Sequence, residues 1–185
     1  MPRKMAFLDY RASVAFGRVA STGDYKLLQL NYKPYEQLCE VFTHGGSGDA
    51  RWRGKKTSPI DVDMRPLSRV AVDGIVYFFL DQDIDVVGQD VRPKGIASFD
   101  LLTEEWRTIL QGPVPIQIEE DPADYANLSL TTLYGSLVLV HCILNAKMDL
   151  WFLMEFEKGL CVKQHTVHAN LSVQHDSRTS LGDTK

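Results

Sequence analysis

Two runs of carboxylates carry the most chemistry that this sequence could do. Asp81, Asp83, Asp85 and Asp90 fall in one polar stretch; Glu119, Glu120, Asp121 and Asp124 fall in another, followed directly by Tyr125. Carboxylates in such numbers can move protons, hold a cation or draw a basic partner. A glycosidase needs two of them fixed at a defined separation, and these acids sit in stretches with the polarity of loops. Clustered negative charge also raises the local potential and steers a cationic ligand. Between positions 81 and 124 eleven acids stand against three basic residues, whereas between 1 and 69 twelve basic residues stand against seven acids. The expectation is an acidic partner-binding patch with Tyr125 as an aromatic anchor; the plainer alternative is a solvated loop set that keeps the chain soluble.

Other chemistries have weaker support. Cys161, His165 and His168 form C-x3-H-x2-H, but tetrahedral zinc takes four ligands, usually in paired short spacings, and no second pair is evident. No metal and no cofactor is expected. His141 lies inside the apolar run LVLVHC and reads as a core histidine, while His44 and His175 fall in a turn and in the C-terminal tail. The chain has no G-x-S-x-G elbow and no G-x-x-x-x-G-K-[ST] phosphate loop. Enzyme activity is therefore not expected. Arg51, Trp52, Arg53, Lys55 and Lys56 interleave basic and aromatic residues as a nucleic-acid strip can, but on a strand Trp52 points away from Arg51 and Arg53. A solvent-facing basic strip beside a core tryptophan is the simpler reading, and no nucleic acid is expected as a partner.

The elements that must position these groups repeat. Residues 70–110 and 130–165 each read strand, Gly-containing turn, apolar strand, polar loop, apolar strand, polar turn, strand, with Gly74 and Gly135 at equivalent places. The same order runs through 12–19, 25–30, 38–43 and 50–54, so that Trp52, Trp106 and Cys161 recur at spacings of 54 and 55 residues. Four-stranded units repeated along a chain are the signature of propeller blades. In that reading Trp52 and Trp106 fill the gaps between neighbouring sheets, and Cys161 leaves its unit to pack differently or to carry a gap. Propellers need about four or more blades to close. Three units leave two open edges, which fits a part of a larger fold, an incomplete copy or a partner in a complex; the alternative is an open or two-sheet arrangement of the same strands.

Composition sets the frame: 185 residues, 44% hydrophobic and 24% charged, with a net charge of -4, describe an ordinary globular domain. Cys39, Cys142 and Cys161 are widely spaced and odd in number, so they read as small buried hydrophobes in a reduced compartment. The N-terminus lacks a signal-peptide pattern, and the run 137–144 is too short to span a bilayer. The chain is expected in the cytoplasm or nucleus, away from membranes. It divides into an N-terminal segment 1–11, a β domain 12–168 and a disordered tail 169–185, polar and poor in apolar residues.

At this level of detail VAFGRVASTGDYKLLQL, CEVFTHGGSGDARWRGK, VAVDGIVYFFL, IASFDLLTEEWRTIL and DLWFLMEFEKGLCVKQH together resemble the F-box-associated domain of plant F-box proteins. The resemblance covers about 12–165, and its specificity lies in the ordered series of blocks. It implies an all-β, kelch-like partial β-propeller of about three four-stranded blades. It also implies a non-catalytic protein-interaction module like the substrate-recognition domain of an SCF-type ubiquitin ligase receptor, which holds a protein substrate for ubiquitination. The family places a helical F-box ahead of this domain, and 1–11 contains none. A Skp-type adaptor is thus expected as a partner only if an F-box is supplied elsewhere. The alternatives are a carbohydrate-active propeller enzyme or a truncated paralogue without function.

Overall fold

The structure, a computed structural model, describes residues 12–33, 36–44, 52–81, 95–107, 109–111, 128–143, 147–156 and 158–168. Segment 1–11 and the tail 169–185 lie outside the described residues. The described chain is all-β and forms three antiparallel meanders. Sheet 1 runs β1 (Ala12–Arg18), β2 (Tyr25–Lys33), β3 (Glu36–His44), β4 (Trp52–Thr57). Sheet 2 runs β5 (Arg69–Val72), β6 (Ile75–Phe79), β7 (Gly95–Asp100), β8 (Glu105–Trp106), with β9 (Leu110–Gln111) also on β7. Sheet 3 runs β10 (Leu128–Leu133), β11 (Ser136–Ile143), β12 (Lys147–Glu155), β13 (Leu160–His168). β8 and β9 are two halves of one edge strand: β8 pairs with Phe99 and Asp100, β9 with Gly95 and Ile96.

Turn chemistry fixes the registers. Asp73 and Gly74 have φ of 49° and 78°, and Tyr134 and Gly135 have φ of 52° and 76°. Each pair makes a two-residue hairpin loop with both central residues left-handed, the turn whose twist matches its flanking strands. Val72 consequently pairs with Ile75 and Leu133 with Ser136. The equivalence of Gly74 and Gly135 read from the sequence is thus geometric.

The three sheets stack face to face in chain order. One core lies between sheets 1 and 2, where Leu28, Leu30, Cys39 and Val41 meet Val76, Phe78, Phe99 and Leu101. A second lies between sheets 2 and 3, where Phe79 and Ile96 meet Leu128, Leu130, Leu137 and Leu139. Sheet 2 is buried on both faces, so every residue of β7 is buried. That explains the unbroken apolar run IVYFF of β6, since alternation is lost when both faces are covered. The first strands lie side by side, β1 beside β5 and β5 beside β10. At Gly17 in β1 a Cβ would stand 2.6 Å from Leu101 Cδ1 and 3.3 Å from Ala71 Cβ, which is why the smallest residue occupies that crossing.

The connector from sheet 1 to sheet 2 is clamped by one side chain. Buried Gln37 of β3 donates from Nε2 to the Val62 carbonyl at 2.8 Å and accepts the Val62 N–H on Oε1 at 2.9 Å. Val62 also bridges Leu80, and Asp63 and Asp81 donate their N–H groups to Phe79 and Asp61 at 2.9 Å. Both polar backbone groups of a fully buried valine therefore depend on Gln37. Replacing it with Leu at similar volume leaves them unpaired, and each orphaned group costs about 1–3 kcal/mol. Urea unfolding of Gln37→Leu should show a stability loss of that order or more at unchanged m-value; a loss under about 0.5 kcal/mol, the level of an ordinary surface change, would contradict the clamp.

Candidate interaction surface

Each sheet has an upstream face, toward the sheet that precedes it, and a downstream face. The repeating aromatic position lies upstream in all three. Trp52 pairs with Phe42, Trp106 with Phe99 and Cys161 with Leu153, so the three are equivalent in register as the spacing indicated. Their surroundings differ. Trp106 packs onto the core with sheet 1, its ring 5.3 Å from Phe99 and 5.8 Å from Phe78. Its Nε1 has no regular hydrogen-bond partner and only the weakly accepting Cys39 sulfur beside it. Cys161 packs toward sheet 2 beside Trp151, which supplies an indole from β12. Burial pushes the Cys161 thiol up to about 11, so it is a protonated packing group.

Trp52 departs from its expected role. It is 46% exposed, because sheet 1 has no described sheet upstream of it. Phe16, Leu27, Phe42 and Trp52 stand directly opposite one another across all four strands. This apolar row crosses an open sheet face, with Phe16 60% exposed and stacked on Tyr25 at 5.5 Å. Of the basic strip, Arg53 and Lys56 turn to the other face, while Arg51 and the Lys55 side chain lie outside the described residues. Arg53 points downstream and donates from Nη2 to Glu104 Oε1 at 2.7 Å, and Lys56 Nζ donates to the Glu104 carbonyl at 2.9 Å. So Trp52 and Arg53 alternate between faces as expected and Arg53 is exposed, but it is Trp52 that lacks the core position expected of it.

Glu104 is the cross-sheet anchor. It sits in the β7–β8 turn with φ 58° and also accepts from buried Lys26 Nζ at 2.7 Å. Burial alone would raise its pKa, but the hydrogen bonds from Lys26 and Arg53 outweigh this and hold it below the ordinary value. The other buried carboxylates follow the same rule of donors over desolvation. Asp63 is held by Arg65 and Ser68, Asp100 by the Leu102 N–H and Arg107, and Asp149 by Thr166 and Lys147. None is tuned upward as a general acid at neutral pH requires.

Of the nine expected acidic-patch residues, only Asp81 is described. It is exposed at the end of β6, and its charge contributes, after the Asp63 hydrogen bond, to raising the pKa of Arg65. Asp83, Asp85, Asp90, Glu119, Glu120, Asp121, Asp124 and Tyr125 lie outside the described residues. The strands that bracket them do fix where both stretches leave the sheet. Phe79 pairs with Ile96 and Gly95 pairs with Gln111, so 82–94 and 112–127 start from one end of sheet 2.

The C-x3-H-x2-H run does not converge. Cys161 faces sheet 2, while His165 packs edge-on against Phe152 at 5.8 Å on the opposite face. Among the described residues no three His, Cys, Asp or Glu side chains gather as a metal site would need. His141 is buried opposite Asp149, as read from its apolar context. No helix among the described residues is long and apolar enough to cross a membrane. No known protein family, curated protein or solved structure matches this chain.

Two outcomes follow. Trp106→Ala, at a partly buried position, should cost up to about 3–5 kcal/mol, the range for a fully buried aromatic, and Trp52→Ala under about 1 kcal/mol in the single chain; equal costs in denaturant unfolding would refute the difference in packing. The four lowered carboxylates stabilise the fold above the ordinary carboxylate pKa and lose that effect as pH falls through their folded values. Melting temperature should therefore drop steeply below about pH 4, and less steeply in Glu104→Gln; a flat profile would show that these pairs do not form.

Proposed function

We propose that this chain is a non-catalytic protein-interaction module built as a partial kelch-like propeller, of the kind that recognises substrates for an SCF-type ubiquitin ligase. The stacking of three meanders with their first strands adjacent favours the propeller reading, because radial blades meet in that way. The observation that carries the binding reading is the common exit of two acidic stretches from one end of sheet 2. Loops that leave a rigid scaffold together make one surface. Over 81–94 and 112–127 together eight acids stand against two basic residues, an excess that selects a basic protein segment over nucleic acid or an acidic ligand. A Skp-type adaptor enters only through an F-box carried elsewhere. The buried carboxylates are occupied by structural donors, and the Cys161 thiol is protonated at neutral pH, which favours binding over turnover.

The test is capture of partners from cell extract on the immobilised chain, then titration of the captured protein. Asp83→Lys, Asp85→Lys, Glu119→Lys and Glu120→Lys together should weaken binding at least tenfold at low salt and flatten its salt dependence. Unchanged affinity in this variant would remove the acidic surface from the proposal.

A further inference from the structure

Register orders the upstream face of sheet 1 into three rows that cross the strands. The middle row is Phe16, Leu27, Phe42 and Trp52. On one side of it Arg18, Tyr25 and His44 stand opposite one another on β1, β2 and β3. On the other side stand Val14, Gln29 and Glu40. Phe16, Tyr25 and Trp52 are 60%, 43% and 46% exposed. The rings meet in pairs, Phe16 with Tyr25 at 5.5 Å and Phe42 with Trp52 at 5.4 Å.

Area limits what this face can hold. A fully covered aromatic side chain buries about 150–250 Å², so three rings near half exposure offer roughly 300 Å². A stable pair of folded chains needs about 800 Å² from each. The row fits a short ligand better than a second copy or a globular partner. Hydrogen bonding narrows the ligand further. Among the described residues nothing accepts from the Trp52 indole N–H or the Tyr25 hydroxyl, and Arg18 makes only a ring contact with Tyr25 at 6.0 Å. Across the row the polar groups bond to one another: Asn31 Oδ1 accepts from Gln29 Nε2 at 2.8 Å, and Glu40 Oε2 accepts from Asn31 Nδ2 at 3.2 Å. The face asks for an apolar ligand that accepts hydrogen bonds and donates few. A sugar, whose hydroxyls donate as well as accept, matches poorly. A proline-rich chain has apolar rings, free carbonyls and no N–H at its prolines, and it matches well.

We infer that the upstream face of sheet 1 binds a proline-rich segment of another protein in the polyproline II conformation. The dimensions agree. Neighbouring strands lie about 4.8 Å apart, so the Phe16–Leu27 pair stands about 9.6 Å from the Phe42–Trp52 pair. Polyproline II rises about 3.1 Å per residue with three residues per turn, so prolines three positions apart stand about 9.3 Å apart on one side of the ligand. A P-x-x-P segment lying across the strands seats one proline on each pair, with its carbonyls toward the Trp52 N–H and the Tyr25 hydroxyl. Such a segment is extended before it binds, which is how aromatic-lined grooves read proline-rich ligands at low entropic cost. Arg18, at the β1 end of the face, favours an acidic residue beside the prolines. The inference goes beyond partner binding through the acidic stretches and does not rest on it.

Fluorescence anisotropy of a labelled proline decamer, titrated with the full chain, is the test. The decamer should bind saturably and a Gly-Ser decamer should not. Trp52→Ala and Phe16→Ala change exposed side chains, and each should weaken binding at least tenfold with an unchanged far-UV spectrum. A decamer flanked by glutamates should bind more tightly than the bare one, and Arg18→Ala should remove that gain while leaving the bare decamer's affinity unchanged. No gain would overturn the role of Arg18. Absence of saturable decamer binding, equal binding of the Gly-Ser decamer, or unchanged affinity in both aromatic variants would overturn the site. So would a wild type at twice its 20.9 kDa chain mass that falls to one chain in Trp52→Ala, which would give the face to a second copy. The four-lysine variant of the acidic stretches should bind the bare decamer as the wild type does, which separates failure of this site from failure of the acidic surface.

Discussion

Sheet 2 has no solvent face, and the rest of the structure follows from that. A meander with one buried face can rest on any apolar surface. One with two buried faces must sit between two others, and it fixes their order and orientation. The continuous apolar sequence of β6 and the complete burial of β7 commit sheet 2 to that middle position. Sheet 1 then meets it through Leu28, Leu30, Cys39 and Val41, and sheet 3 through Leu130, Leu137 and Leu139. The first strands are brought side by side by the same stacking, and this allows Gly17 to approach Ala71 so closely.

Polar groups in this fold hold sheets and turns together. Glu104 joins three cations of sheet 1 to a turn of sheet 2, one of them a buried lysine whose charge needs that carboxylate. Asp100 caps the same turn by accepting from the Leu102 N–H at 2.7 Å and is itself bound by Arg107. Gln37 satisfies the connector at Val62. Protonating Glu104 or Asp100 would weaken these structural contacts.

Much of the fold was legible in the sequence because strand periodicity and turn chemistry are local. The alternation of ASVAFGR, the DG and YG turns and the recurrence of Trp52, Trp106 and Cys161 all correspond to structural positions. What periodicity could not give was the environment of those positions. Trp52 and Trp106 share a register but not a neighbour, so the expectation of a buried Trp52 failed where there was no described sheet to bury it. The Lys26–Glu104 contact joins residues 78 apart and leaves no local signal. Neither does the Gln37 clamp, since a glutamine between apolar strand residues gives no sign of a partner 25 positions away. Of the acidic patch, only the charge was legible in the residues; the strand pairings add that both of its stretches leave from one end of a sheet.

The face-to-face order of sheets 1 and 2 is tested most directly by a double-mutant cycle on Lys26 and Glu104. Lys26→Met, Glu104→Gln and the double variant are compared with the wild type by urea unfolding at neutral pH. Residues in direct contact couple, whereas distant ones add to within about 0.3–0.5 kcal/mol. A stacked arrangement requires a coupling energy of about 1 kcal/mol or more. Additivity within that experimental range would mean that the β7–β8 turn does not rest on sheet 1, and the stack as described here would be wrong.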